Sequence, residues 1–342
     1  MAVKELDDKS SAAWDSFVAA CPEATFFHRA GWKRVIENSF RHRTYFLYVE
    51  RDGAIEGVLP LAHVKSALFG NALTSTAFCV CGGPATVSAD AREALVEAAC
   101  QLADRLKVDH LEFRAAQPSG RPGWVAKTDL YCTFRKPIDP DVEKNMLAIP
   151  RKQRAMVRKG IKLGLTSAID ADVARLHRLY AESVRNLGTP VFSPSYFANL
   201  KAEFGGDCDV LTVLRDGTPV SAVLNFYFRD QVLPYYGGGG AAARNLAAND
   251  FMYWEVMRRA ALRGYRVFDF GRSKRGTGAY DFKRNWGFEP EALPYEYRLR
   301  PGAALPDRNP LSPKYRLFIK LWRHLPLALA NLLGPPIVRN LG

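Results

Sequence analysis

Apolar positions along this chain fall into two alternating rhythms, a helical period and a period of two, and the series runs through twice. Over residues 11–39 Trp14, Phe17 and Val18 share one helical face and Trp32, Val35 and Ile36 share another, which predicts two helices. Residues 44–49 and 55–64 then alternate as strands around Arg51-Asp52-Gly53, a hairpin signal. Cys81-Gly82-Gly83 follows, then a helical pattern over 91–106 and a strand pattern over 110–114.

The second series has the same order. Residues 210–214 and 220–228 flank Arg215-Asp216-Gly217, and Val232, Leu233, Tyr235 and Tyr236 form a further strand pattern that four glycines at 237–240 are expected to end in a turn. Asn249 and Asp250 are helix-capping types ahead of Phe251, Trp254, Val256, Met257, Ala260, Ala261 and Leu262, with a stop at Gly264 and a strand over 266–270. Hairpin, glycine turn, helix and strand recurring in order predict two copies of one α/β (α+β) domain, each a mixed, mostly antiparallel sheet covered by helices. The expected boundaries are 1–145, 146–300 and a tail at 301–342.

Three segments fall outside the repeat. Pro150 opens a stretch with Arg151, Lys152, Arg154, Arg158, Lys159 and Lys162, in which Met156, Val157 and Ile161 make a small apolar stripe, so a basic amphipathic helix is predicted. Leu176, Leu179, Tyr180 and Val184 continue a helix toward Gly188. The Thr- and Pro-containing run 189–196 then reads as a loop in which Phe192 packs and Tyr196 is open to substrate contact. In the tail, Arg316, Lys320 and Arg323 fall on one side of a helical pattern while Leu317, Phe318, Leu321, Trp322 and Leu325 fall on the other. Residues 314–333 therefore suit either a bilayer interface or the protein's own surface.

Composition narrows the partners. With 342 residues and 24% charged, the chain has the make-up of a globular protein of about two domains. A net charge of +13 favours anionic partners: RNA, phosphorylated sugars, coenzyme A or an acidic membrane surface. The six cysteines form no CxxC pair and have no histidine spacing beside them, so they read as reduced, mostly buried residues and no metal site is expected. Glu5, Asp7, Asp8 and Asp15 fill the region where a secretory leader would be basic and apolar, and residues 325–338 are too short and too broken by proline to span a bilayer. The expected location is cytoplasmic, with peripheral contact at the inner membrane face left open.

Candidate chemistry converges on the second copy. Backbone N–H groups at the glycine turn, near a helix start and with Arg244 close by, suit a phosphate or carboxylate. If the strand over 266–270 pairs with the strand before the glycines, Asp269 emerges beside them. Arg272, Lys274 and Arg275 follow in a glycine-spaced basic loop, and then the cluster Tyr280, Asp281, Phe282, Lys283, Arg284. The first copy has two glycines in place of four, and nothing after Arg114 matches the Lys283 cluster.

The pattern Tyr235-Tyr236-Gly237-Gly238-Gly239-Gly240, a helix, and then FDFGRSKRGTGAYDFKRNWGF over residues 268–288 resembles the C-terminal half of FemAB-family proteins, the Fem-type aminoacyl transferases built on paired acetyltransferase-like (GNAT) domains. More narrowly it is similar to the FemAB-like branch associated with exosortase and PEP-CTERM exopolysaccharide loci. The resemblance covers roughly residues 1–300 and is sharpest from Tyr235 to Tyr297. It implies transfer of an aminoacyl or acyl group to an amine on a saccharide or lipid-linked envelope precursor, without a tightly bound cofactor. Acyl transfer needs charge compensation at the developing oxyanion, and the family's FK motif supports Lys283 as the catalytic residue supplying positive charge to the oxyanion or a leaving phosphate; Asp269 is the second candidate, for orienting the amine or accepting its proton. The resemblance implies that the arginine-rich segment contacts phosphates, with Arg151 and Arg154 the first candidates, and the reading of the glycine turn and basic loop adds Tyr236, Gly238, Gly239, Arg244, Arg272 and Lys274 as substrate- or phosphate-binding candidates. The donor stays open between aminoacyl-tRNA and acyl-CoA, because the chain lacks the long helical arm of many tRNA-using Fem proteins. A non-catalytic binding scaffold is the remaining alternative.

Overall fold

The computed structural model describes residues 2–66, 69–115, 118–306 and 313–342. The chain forms two compact units, Met1–Tyr131 with Ala292–Pro306 and Arg339–Gly342, and Cys132–Glu291 with Asp307–Val338. This division departs from the expected boundaries at 145 and 300, and the reason is strand exchange. Tyr131–Pro137 pairs antiparallel with Val267–Asp269 in the second unit's sheet, and Tyr295–Leu299 pairs antiparallel with His110–Phe113 and Trp124–Lys127 in the first. Each copy ends in a strand that completes the other unit's sheet, a long-range pairing that local periodicity does not encode.

In the first unit the strands run in the order Ala2–Glu5, Arg43–Arg51, Ala54–Ser66, Gly70–Ser75, His110–Phe113, Tyr295–Leu299, Trp124–Lys127. Gly70–Ser75 and His110–Phe113 are parallel, joined through the helix Ala89–Leu106. In the second unit Thr166–Ile169, Cys208–Arg215, Thr218–Phe228 and Gln231–Gly239 form an antiparallel meander. The helix Ala248–Leu262 then crosses over to the parallel strand Val267–Asp269. Both hairpin turns take the left-handed backbone that an Asp-Gly pair permits, with φ of 49° and 82° at Asp52 and Gly53 and 48° and 76° at Asp216 and Gly217. The two sheets are thus built from the same sequence device. All six cysteines are buried and unbridged.

The four glycines are not a turn. Gly237, Gly238 and Gly239 belong to the strand Gln231–Gly239, opposite Val223, Ala222 and Ser221. Their faces alternate with the pleat, and so do their neighbours. A Cβ at Gly237 would lie 3.1 Å from Val223 and 3.4 Å from Met252 of the crossover helix. One at Gly238 would lie 2.6 Å from the Ser183 Cβ and 3.2 Å from the Tyr180 Cα, both on the helix Ala174–Leu187. One at Gly239 would lie 2.4 Å from the Ala243 Cβ, and one at Gly240 3.2 Å from a Glu182 carboxylate oxygen. The run therefore lets helices on both sides press against one strand, closer than any side chain would allow.

Other helix ends also depart from the sequence reading. Ala247, with φ of 53°, stands ahead of the crossover helix, so Asn249 and Asp250 lie inside its first turn and cap nothing. The expected loop at 189–196 is cut short because Ser193 caps a helix over Pro194–Phe204, its hydroxyl accepting from the Tyr196 N–H. On the basic helix Arg151–Lys162 the buried face is Gln153, Val157 and Gly160, while Ile161, placed in the apolar stripe from sequence, is exposed. Gly160 is decisive there, since a Cβ would come within 2.9 Å of Phe251.

Replacing Gly238 by alanine is expected to destabilise the protein by roughly 1–3 kcal/mol through overpacking against Ser183 and Tyr180. Gly278→Ala, where nothing lies within 4 Å, should be near neutral. Urea unfolding midpoints of the two variants check the difference.

Candidate active site

The site is built where two parallel strands part. Gln231 pairs with Val267 and Val232 with Phe268, after which Val267–Asp269 ends and Gln231–Gly239 runs on alone. From Leu233 to Gly239, among the described residues, only the Thr218–Phe228 side of this strand is paired to another strand. The register also slips between Leu224 and Asn225, so that Tyr236 faces Leu224 and Pro234 faces Asn225, with Tyr235 as the extra, bulged residue. An open strand edge beside a bulge offers main-chain hydrogen-bonding groups to an extended, amide-bearing ligand.

Asp269 lies at the closed end of this gap. The register places it level with Leu233, about 16 Å of strand short of Gly238 at ~3.3 Å per residue. It therefore does not emerge beside the glycines as expected from the sequence. Its carboxylate is buried and occupied: it accepts from the Thr133 hydroxyl at 3.1 Å, the Arg135 Nε at 2.9 Å and the Gly271 N–H at 2.7 Å. Two of those partners come from the exchanged strand Tyr131–Pro137, which ties Asp269 to the shape of the chain after Phe270.

Lys283 secures the same segment from the other side. It sits on the helix Gly278–Asn285, capped by the Thr277 hydroxyl, and its Nζ donates to the carbonyls of Phe270 at 2.6 Å, Gly271 at 2.9 Å and Arg272 at 3.1 Å. Three donors meet three acceptors, so the ammonium has no hydrogen left over for an oxyanion in this arrangement. Burial pulls its pKa down to about 8, with Asp269 pulling the other way. The direct contact with reacting atoms that the resemblance implied is replaced by a clamp on the backbone of 270–272.

The remaining predicted residues separate into buried and exposed groups. Tyr236 is buried, its hydroxyl 2.9 Å from that of the fully buried Tyr196, in a cluster with Tyr180, Phe192 and Phe197. Gly238 and Gly239 are filled on their open faces by neighbouring helices, as described above. Arg154 donates to the Leu147 carbonyl at 2.8 Å and so closes the end of the helix Val142–Ala148. By contrast Arg151, Lys152, Arg158, Lys159 and Lys162 share the exposed side of the basic helix, and none of them forms an ion pair among the described residues. Arg244 is exposed on the short helix Ala243–Leu246 that follows the glycines, Arg272 is exposed, and Lys274 is half-buried in the short strand Ser273–Lys274.

A buried polar link escaped the sequence reading. Asp250 accepts from the Gln153 amide and from the Trp286 indole N–H, each at 3.0 Å, joining the basic helix, the crossover helix and the end of the Lys283 helix. Burial raises the Asp250 pKa while both donors favour its charged form. The available clue was Trp286 itself, because a fully buried indole needs an acceptor for its N–H.

Residues 149–284 match the family profile described as an acetyltransferase (GNAT) domain. Among solved structures, FemX superposes with a TM-score of 0.69 at 16% identity, covering 88% of this chain and 98% of that one. L-PGS from Bacillus licheniformis gives 0.55 at 13% identity over 93% and 97% of the two chains. A tandem GNAT protein from the clavulanic acid biosynthesis pathway gives 0.54 at 14% over 90% and 99%. At these identities the likeness establishes the fold, which is that of tandem acetyltransferase-like domains. No curated protein sequence matches the chain.

The Lys283 clamp has a pH signature. Its folded pKa of about 8 lies below the 10.5 of an exposed lysine, so between those values the unfolded chain binds more protons and stability rises with pH. Relative to Lys283→Met, which does not titrate there, the parent protein should gain stability on going from pH 7 to pH 10. Urea midpoints of both proteins at the two pH values test this, and a gap that closes with rising pH contradicts it.

Proposed function

We propose that this protein is a Fem-type acyltransferase of the cytoplasm that moves an aminoacyl group from aminoacyl-tRNA to an amine on a cell-envelope or exopolysaccharide precursor. The observation that carries the choice of donor is the exposed face of Arg151, Lys152, Arg158, Lys159 and Lys162, five cations on one side of a helix with no acidic partner among the described residues. Such a face suits the repeated phosphates of a nucleic acid backbone. The competing donor, acyl-CoA, was expected to lay its pyrophosphate on the glycines. Those glycines are covered by Tyr180, Ser183 and Ala243, with a Glu182 carboxylate at Gly240, surroundings that disfavour an anion.

In this reading the acyl end of the donor lies along the open edge of Gln231–Gly239, where main-chain N–H groups face the carbonyl oxygen as charge develops on it. The neutral amine attacks the ester carbonyl, a C–N bond forms, the ester C–O bond breaks, and the departing ribose oxygen takes up the proton that the amine loses. Lys283 and Asp269 act as positioning residues: they hold 270–272, and with it the far wall of the gap, in one shape.

Labelled aminoacyl-tRNA or labelled acyl-CoA, incubated with the protein and an extract containing lipid-linked saccharides, tests the reading by where the label goes. Transfer is expected from the tRNA. The double variant Arg151→Glu, Lys152→Glu should raise KM for the tRNA roughly tenfold, lower its salt dependence and leave kcat nearly unchanged. Transfer from acyl-CoA alone would overturn the donor assignment. No transfer from either in a competent extract would make the protein a binding scaffold.

A further inference from the structure

The two C-terminal helices of the second unit carry an apolar surface that the proposed chemistry does not use. Pro313–Arg323 and Leu327–Val338 are joined by a short turn and seat themselves through small contacts. Ile319 lies on Gly188, at 2.5 Å from where a Cβ would be, and a Cβ at Gly334 would come within 2.9 Å of the Val191 backbone. Trp322, Ala330 and Val338 are buried, and Leu327 packs onto the cluster of Ala181, Val184 and Val191.

What these helices turn outward is equally apolar. Leu317 is 66% exposed, Leu321 61% and Leu332 69%, accompanied by Phe318, Leu329 and Leu333. On the first helix Leu317, Phe318 and Leu321 occupy one arc, and on the second Leu329, Leu332 and Leu333 occupy one stripe at three- and four-residue spacing. A folded protein in water gains nothing from holding six large apolar side chains out on two consecutive helices.

Charge selects the partner. Residues 313–338 contain Lys314, Arg316, Lys320 and Arg323 and no Asp or Glu. At 100° per residue Lys320 and the neighbouring His324 border the Leu317–Leu321 arc, where a cation reaches the headgroup level while the leucines enter the acyl region. Among the described residues no helix is long and apolar enough to cross a membrane, so both helices are suited to lie in the plane of its surface. We infer that the helix pair Pro313–Arg323 and Leu327–Val338 is an interfacial anchor that docks the protein on an anionic lipid bilayer. This inference stands on exposure and charge and holds whether the donor is tRNA or another acyl carrier.

Sedimentation of the full chain with vesicles tests it without any transfer assay. Vesicles of phosphatidylglycerol mixed with phosphatidylcholine should bind the protein, and binding should weaken roughly tenfold in phosphatidylcholine alone and fall with added salt. Leu321→Glu with Leu332→Glu, both at exposed positions, should abolish binding while the circular dichroism spectrum and unfolding midpoint stay those of the parent. Arg316→Glu with Lys320→Glu should remove the preference for anionic lipid. A protein that stays in the supernatant with anionic vesicles overturns the inference. So does a concentration-dependent dimer that the leucine variants dissolve, because the apolar face would then be covered by a second copy of this chain.

Discussion

Everything in the second unit depends on how closely helices approach the strand Gln231–Gly239. With no side chain at 237–240, the helix Ala174–Leu187 meets one face at Gly238 and Gly240, while Ala243 and Met252 meet the other at Gly239 and Gly237. Close packing on both faces of a bare strand fixes its position from two directions. The next strand, Val267–Asp269, pairs with it only at Gln231 and Val232 and is held along its other edge by Tyr131–Pro137, so a gap opens beyond Val232. A cleft made by diverging strands has rigid walls, which suits a reaction that depends on holding two reactants in register.

The far wall is secured by a different kind of interaction. Asp269 gathers the Gly271 N–H, Thr133 and Arg135, and Lys283 gathers the carbonyls of 270, 271 and 272, so an acid and a base hold the two polarities of the same short backbone. Both groups are buried enough that leaving either without partners would be unfavourable. Burial lowers the Lys283 pKa while the field of Asp269 opposes that shift. The Asp250 link with Gln153 and Trp286 extends the same principle to the helices behind. Residues that look reactive in sequence here shape the site.

A division of labour between charge and surface follows. The cations that remain exposed, on the basic helix and at Arg244, stand where they can meet a large anion, whereas those drawn into the fold, such as Arg154, close helix ends. At the C-terminus Arg316 and Lys320 share a helix with exposed leucines, and neither forms an ion pair among the described residues. The exposed cations of the basic helix and the exposed leucines of the C-terminal helices thus occupy separate elements.

By itself the sequence determined the parts: two hairpins with Asp-Gly turns, two crossover helices, the repeat that makes two related sheets, the basic helix and the amphipathic tail. Apart from the repeat, which is read by comparing the two halves, these are short-range matters of turn chemistry and hydrophobic period, each legible within about twenty residues. Tertiary structure decided what those parts do. Whether four glycines turn or lie flat in a strand depends on packing against Tyr180, Glu182 and Ser183 of a distant helix and against Ala243 and Met252. Whether Lys283 faces a ligand or a backbone depends on the carbonyls that the fold brings to it. The strands exchanged at Tyr131–Pro137 and Tyr295–Leu299, and the partners of Asp250, are pairings between distant segments, and a local pattern cannot specify which of several compatible edges or acceptors a segment will meet.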